Sequence, residues 1–280
     1  MAKPPQARDT TKVVFFFVGV GKCGTSWLYE FLKRHDLVSV PKLKEPYLID
    51  AGAERQTAII SELYSNKEDM ADFSTLYYWD PENAEKIRSY NPSSRILITV
   101  RKPSARIVSH FSFLRRNGLV NEPSVTEYLA GEDPEKIVAR SRYREMIARY
   151  KQVFGSDQVI LLPLEQLERQ PQVYADRLCD FLGKPRVVLS DDDIKPVLKR
   201  ARARSMIVAR LVKVSAETIR RLGFLSILGK LKSSTLLRSI LFKEAPPETV
   251  SDLGPLSMEI EALDDDYIKL LQENGIELSS

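Results

Sequence analysis

Apolar residues recur along the chain in two rhythms. Short unbroken runs rich in β-branched and aromatic residues stand at Lys12-Val-Val-Phe-Phe-Phe-Val18, at Arg95-Ile-Leu-Ile-Thr-Val100 and over 158–164. Each reads as a strand buried on both faces of a parallel sheet. Between them the spacing turns helical: Trp27, Leu28, Phe31 and Leu32 share one face of a helix over 25–35. Further helices are expected from Pro103 through about Asn117, over 141–154, and from Pro171 to Leu182 with Gly183 closing the last. Pro103 suits a first helical turn, where its missing N–H costs nothing. Residues 51–94 read as helix and loop. Strands alternating with helices predict one α/β domain, a central parallel sheet with helices on both faces. The turns after the first two strands should then lie together at the carboxyl edge of that sheet.

Beyond this alternation the pattern changes. Residues 199–243 carry twelve Lys and Arg, among them Arg200 and Arg202, against the single acid Glu217, with Leu and Ile at roughly helical spacing. We expect a basic helical segment near an anionic ligand, a membrane surface or an acidic carrier protein. The tail over 244–280 is acidic and should form a helical region, with Asp264-Asp-Asp266 at its centre. Residues 1–12 are polar and read as a disordered terminus, leaving 13–280 as the domain.

Composition narrows the class without naming it. The 280 residues are 43% hydrophobic and 29% charged, as in an ordinary globular protein of substantial core. A net charge of +4 fits anionic ligands but gives no reason to expect nucleic acid. No eighteen-residue apolar stretch or signal-like start is present, and two cysteines argue against a disulfide framework. A cytoplasmic protein is expected.

The chemistry concentrates at Gly19-Val-Gly-Lys-Cys-Gly-Thr-Ser26. Gly19 and Gly24 have the spacing of a nucleotide-binding P-loop, but Thr25 stands where that motif has its lysine. The charge that holds the terminal phosphates of ATP or GTP is therefore missing. Backbone amides and the Thr25 and Ser26 hydroxyls at a helix start can still cradle one phosphate. Lys22 projects from the turn, and Trp27 offers a flat face for a base. A glycine turn with a core tryptophan and a solvated lysine is the plain alternative.

Gly21-Lys-Cys-Gly-Thr-Ser-Trp27 resembles the 5′-phosphosulfate loop, P-K-[SA]-G-T-T-W, of sulfotransferases that use 3′-phosphoadenosine 5′-phosphosulfate (PAPS). A second element, Arg101-Lys-Pro-Ser-Ala-Arg-Ile-Val-Ser109, is similar to that family's 3′-phosphate element, R-[DN]-P-x-x-R-x-x-S, again after a strand and opening a helix. The resemblance implies a P-loop-kinase-like fold, transfer without a metal, and adenosine 3′,5′-bisphosphate as product. It implies that Gly21, Lys22, Cys23, Gly24, Thr25 and Ser26 hold the 5′-phosphosulfate, with Lys22 stabilising the leaving oxygen, and that Trp27 stacks on adenine. Arg101 and Ser109 would take the 3′-phosphate, with a helix dipole in support. Ser141-Arg-Tyr143, Glu165 and Phe181-Leu-Gly183 follow the later family pattern, which adds Tyr143 to the donor site. Arg200 and Arg202 are the nearest match to a basic loop that closes on the 3′-phosphate in relatives.

Sulfuryl transfer to an alcohol needs a base for the hydroxyl proton. Neither His35 nor His110 stands where the cytosolic branch places its histidine, and both read as structural. Lys44-Glu-Pro-Tyr47 instead resembles the K-E-x-H/Y-F segment of the carbohydrate branch, which makes Glu45 the candidate base. Pro41 and Pro46 should hold it on an extended loop. Asp72-Phe-Ser-Thr-Leu-Tyr-Tyr78 resembles E-K-[ST]-P-x-Y-[FL], but Phe73 replaces an acceptor-binding lysine. Tyr77, Tyr78 and Trp79 would face an acceptor or the core. The expected function is O-sulfation of a carbohydrate or glycolipid. A hydroxylated secondary metabolite, free or on a carrier protein, is the alternative acceptor; a degenerate P-loop kinase and a non-catalytic binding module are the alternatives to this chemistry.

Overall fold

A computed structural model describes residues 12–65, 68–131, 135–195, 201–203, 242–244 and 254–278. The apolar run after Lys12 forms β1 (Phe15–Gly19), buried along its whole length. Its side chains alternate between two layers, as the pleat requires. Phe15 and Phe17 pack with α1 (Thr25–Arg34), and Phe16 and Val18 face the opposite side. Burying each such side chain contributes about 1.5–3 kcal/mol, so β1 anchors both layers at once.

The chain continues through α2 (Ala53–Leu63), β2 (Ala71–Asp72), α3 (Glu82–Tyr90), β3 (Arg95–Val100) and α4 (Pro103–Arg116). Next come α5 (Val125–Leu129), α6 (Glu135–Ala139), α7 (Arg144–Phe154), β4 (Val159–Pro163), α8 (Leu164–Arg169), α9 (Pro171–Leu182) and α10 (Asp191–Ile194). Four parallel strands stand in the order β2-β1-β3-β4. α1, α8 and α9 cover one face; α3, α7 and the C-terminal α11 (Ser257–Glu273) cover the other. α4 packs with α5, α6 and α11 in a third apolar cluster. Gly183 closes α9 in the left-handed conformation at φ 67°.

Three expectations need correction. The helix expected over 141–154 begins only at Arg144, because Ser141-Arg-Tyr143 is a turn after α6. β2 was not foreseen: two residues are too few to show a strand pattern. The basic segment is not helical at its described ends, where β5 (Ala201–Ala203) and β6 (Phe242–Glu244) pair antiparallel with Arg202 opposite Lys243. Arg200 and residues 204–241 lie outside the described residues, as do residues 1–11. In the acidic tail, α11 buries Ile260, Tyr267, Leu270 and Leu271, and pairs Asp266 and Glu273 with Arg144. Among the described residues no helix is long and apolar enough to cross a membrane.

Candidate active site

The turn after β1 is shaped by close packing. A Cβ on Gly19 (φ 140°) would lie 2.8 Å from the Thr75 carbonyl oxygen, and one on Gly24 (φ 88°) 2.9 Å from Leu164 Cδ1. Both backbones favour glycine; at Gly19 the Thr75 carbonyl leaves no room for a Cβ, whereas at Gly24 the end of Leu164 would have to shift. The Val20 N–H donates to the Thr99 carbonyl at 2.8 Å, which ties the turn to β3. α1 then starts with no side-chain cap and no acid in its first turn, an arrangement that suits an anion at the helix start.

Four cations converge on this turn. Lys22, itself left-handed at φ 77°, sets its ammonium 4.9 Å from the centre of the Phe113 ring. Arg116 lies over the same ring at 5.6 Å. Burial, then the charges of Arg116, Arg101 and Lys44, outweigh the nearby Cys23 and lower the Lys22 pKa to about 8. Lys44 Nζ donates to Thr25 Oγ1 at 3.0 Å and to Ser26 Oγ at 3.3 Å. Ser109, Phe113 and Arg116 share a face of α4 by their spacing of four and seven residues. Arg116 was not singled out in the sequence; that spacing from Ser109 is the signal that would have found it.

Arg101 stands between β3 and α4, and its carbonyl accepts from the Tyr143 hydroxyl at 2.8 Å. Tyr143 is itself buried, so it supports the Arg101 turn from beneath. The helix dipole expected to serve a phosphate here is already engaged. The Ser104 N–H donates to Asp264 Oδ1 at 2.9 Å, so a carboxylate from α11 caps α4. The Lys102 N–H likewise donates to Glu165 Oε1 at 2.8 Å. Arg106 is fully buried, donating to the Ile137 carbonyl at 3.1 Å and to Ser141 Oγ at 2.9 Å. Its Nη2 donates to His110 Nδ1 at 3.2 Å; burial first, then Arg106, Arg140 and Lys22, push that imidazole down to about 3. His35 pairs with Asp193 at 2.9 Å.

Glu45 is linked to the same turn through Thr75. Its carboxylate accepts from Thr75 Oγ1 at 3.0 Å and from the Tyr47 hydroxyl at 3.2 Å. A Cβ on Gly21 would sit 3.9 Å from that Thr75 hydroxyl, so one side chain separates the carboxylate from the turn. The loop is not extended, as its prolines suggested. Glu45 (φ 64°) and Tyr47 (φ 53°) are both left-handed, a conformation that costs on the order of 1 kcal/mol each and persists where the surroundings dictate it.

Other expected residues are differently placed. Cys23 is fully buried, and its thiol is pushed up to about 12 chiefly by that burial, so it offers no reactive thiolate at the turn. Trp27 does not present an open face. It is 8% exposed, stacked on Phe31 at 4.7 Å, met edge-on by Tyr174, and its Nε1 donates to the Asp193 carbonyl at 2.6 Å. A base could stack there only if the segment containing Asp193 moved aside. Phe73 is wholly buried, stacked on Phe17 at 4.0 Å, which explains why no lysine stands there. Tyr77 and Tyr78 are core residues, and the guanidinium groups of Arg106 and Arg140 lie 6.0 Å and 5.4 Å from the Trp79 ring centre. Ser109 is half-buried on α4. The side chain of Arg202 and all of Arg200 fall outside what is described.

Comparison with known proteins identifies the family and the fold. The family model described as "Sulfotransferase domain" matches residues 14–222. Over 183 residues the chain is 26% identical to heparan sulfate glucosamine 3-O-sulfotransferase 6 of Homo sapiens, and equally to that of Mus musculus, covering 61% of this chain and 52% of each relative. The chain thus spans about half the length of the curated relatives it matches. A sulfotransferase from Alicyclobacillus acidocaldarius superposes with a TM-score of 0.56 at 24% identity, over 65% of this chain and 88% of that one. The sulfotransferase domain of the Synechococcus PCC 7002 olefin synthase superposes at 0.51 and 14% identity, over 94% and 97%. The parallel sheet, the turn after β1 and a family match over most of the chain lead to one assignment: the chain belongs to the sulfotransferase domain family.

Proposed function

We propose that the protein transfers a sulfuryl group from PAPS to a hydroxyl of a carbohydrate or glycolipid, with Glu45 as general base. The observation that carries this reading is the meeting of Lys22, Lys44, Arg101 and Arg116 at an uncapped helix start, with the Glu45 carboxylate one side chain from Gly21. Cations, hydroxyls and an uncapped helix start beside the left-handed Gly24 fit a nucleotide bisphosphate. When bound, PAPS supplies the activated sulfuryl group. The amides of Gly21 to Ser26 and the Thr25 and Ser26 hydroxyls would hold its 5′ end, and Arg101 with Ser109 its 3′-phosphate. Lys22, as a cation, would offset negative charge on the leaving oxygen. Glu45 would take the acceptor proton while Thr75 and Tyr47 keep its carboxylate in place.

Glu45→Gln tests the base. Turnover should fall by roughly 10²–10⁴-fold while binding of adenosine 3′,5′-bisphosphate is kept; near-normal turnover would remove Glu45 from that role. Phe73 supports a second reading of the acceptor. With this position filled by core, a highly sulfated polymer loses a cationic partner, which favours a less anionic substrate such as a hydroxylated metabolite, free or carrier-bound. Transfer of labelled sulfate from PAPS to neutral glycolipids, to heparan oligosaccharides and to carrier-bound hydroxyacyl groups separates these acceptors.

A further inference from the structure

We infer that Asp72, Ser74 and Tyr77 form a positioning clamp that fixes the Glu45 loop by holding three consecutive backbone N–H groups, those of Tyr47, Leu48 and Ile49. The inference rests on the reading of Glu45 as the base. Residues Leu48–Asp50 make a single 3₁₀ turn, whose return bonds come from the Asp50 and Ala51 N–H groups. The N–H groups at the front of such a turn have no partner within it and must find acceptors elsewhere. They find three side chains of one short segment. The Tyr47 N–H donates to Ser74 Oγ at 2.9 Å, the Leu48 N–H to Asp72 Oδ2 at 3.3 Å, and the Ile49 N–H to the Tyr77 hydroxyl at 3.1 Å.

Asp72 organises the other two. Ser74 donates its hydroxyl proton to Asp72 Oδ1 at 2.5 Å and Tyr77 donates to Oδ2 at 3.2 Å. With both protons committed to one carboxylate, the two hydroxyl oxygens turn their lone pairs to the loop. Asp72, Ser74 and Tyr77 are essentially inaccessible to solvent, so no water replaces these bonds. Asp72 accepts three donors yet is raised to about 7, because burial outweighs them. The neighbouring Thr75 carries the clamp on to the Glu45 carboxylate itself. The left-handed backbone at Glu45 and Tyr47 is what this grip enforces.

Site-resolved amide hydrogen exchange on the whole chain tests the clamp. Asp72→Ala should speed exchange at Tyr47, Leu48 and Ile49 by about tenfold or more relative to β1 and β3, the loss of about 1.4 kcal/mol of local protection. Ser74→Ala should affect Tyr47 alone and Tyr77→Phe Ile49 alone. Asp72→Asn, whose amide oxygen still accepts from Leu48 and Tyr77, should keep Leu48 and Ile49 near normal and raise exchange only at Tyr47, since its NH2 leaves the Ser74 proton without an acceptor. Unchanged exchange at 47–49 in Asp72→Ala, or an equal rise across the strands, would overturn the clamp. If Asp72→Ala does not fold, the Ser74 and Tyr77 variants decide by the same pattern. Titration with adenosine 3′,5′-bisphosphate and Glu45→Gln turnover are read separately, so loss of the donor or base reading leaves the exchange result intact.

Discussion

Lys44 Nζ lies 3.0 Å from Thr25 Oγ1, which joins the loop carrying Glu45 to the first turn of α1. The contact makes the two halves of the candidate site one unit. The residue beside Glu45, the proposed base, touches the Thr25 hydroxyl proposed to hold the 5′-phosphate. A phosphate bound there would lie within reach of the Lys44 ammonium, and a charge-assisted hydrogen bond to it would contribute about 1.5–3 kcal/mol. Lys44→Ala should therefore weaken adenosine 3′,5′-bisphosphate binding by roughly tenfold or more, measured by calorimetry. Binding equal to wild type would show that Lys44 serves only the protein's own hydroxyls.

Lys22 gives a pH signature. Its pKa is lowered to about 8, so the cation is present at neutral pH and is lost as pH rises through that value. Affinity for the bisphosphate should fall between pH 7 and 9, and the fall should be smaller in Lys22→Ala. The same slope in both proteins would assign the titration to another group.

Phe73 marks where family resemblance and packing part company. Restoring the lysine of relatives by Phe73→Lys would bury an ammonium among Phe17 and Tyr29 and remove a stacked pair. Burying an unpaired ion costs several kcal/mol, against a total domain stability of about 5–15 kcal/mol. We expect a large drop in the thermal midpoint and no gain in binding of sulfated oligosaccharides. A stable Phe73→Lys protein would contradict the packing.

The cysteines should be silent. Cys23 and Cys179 are fully buried, and burial raises both thiols, Cys23 to about 12. A thiol reagent at pH 8 should label neither in the folded protein and both after unfolding. Rapid native labelling of Cys23 would mean that the turn opens in solution.

The legible parts of the sequence were those governed by local rules. The aromatic run before Gly19, the isoleucine-rich run before Arg101 and the Pro171-to-Gly183 helix each carry their own pattern, and the strands and helix formed there. The turn motifs identified the family for a related reason: a glycine without room for a Cβ leaves its mark on the chain. What could not be read depends on residues distant in sequence. Asp264 caps α4 across 160 positions, Asp193 covers Trp27 across 166, and Thr75 reaches Glu45 across 30. Glu45 was read as extended from Pro46; its left-handed backbone follows instead from bonds made by Ser74, Asp72 and Tyr77 to the residues after it.

The most direct test of the donor site is calorimetric titration with adenosine 3′,5′-bisphosphate beside ATP and magnesium, on the wild-type protein and on Arg101→Ala. Tight binding of the bisphosphate alone, lost in Arg101→Ala, is the predicted result. Binding of ATP with magnesium and none of the bisphosphate would contradict the PAPS assignment and favour a kinase-like reading of the turn after β1.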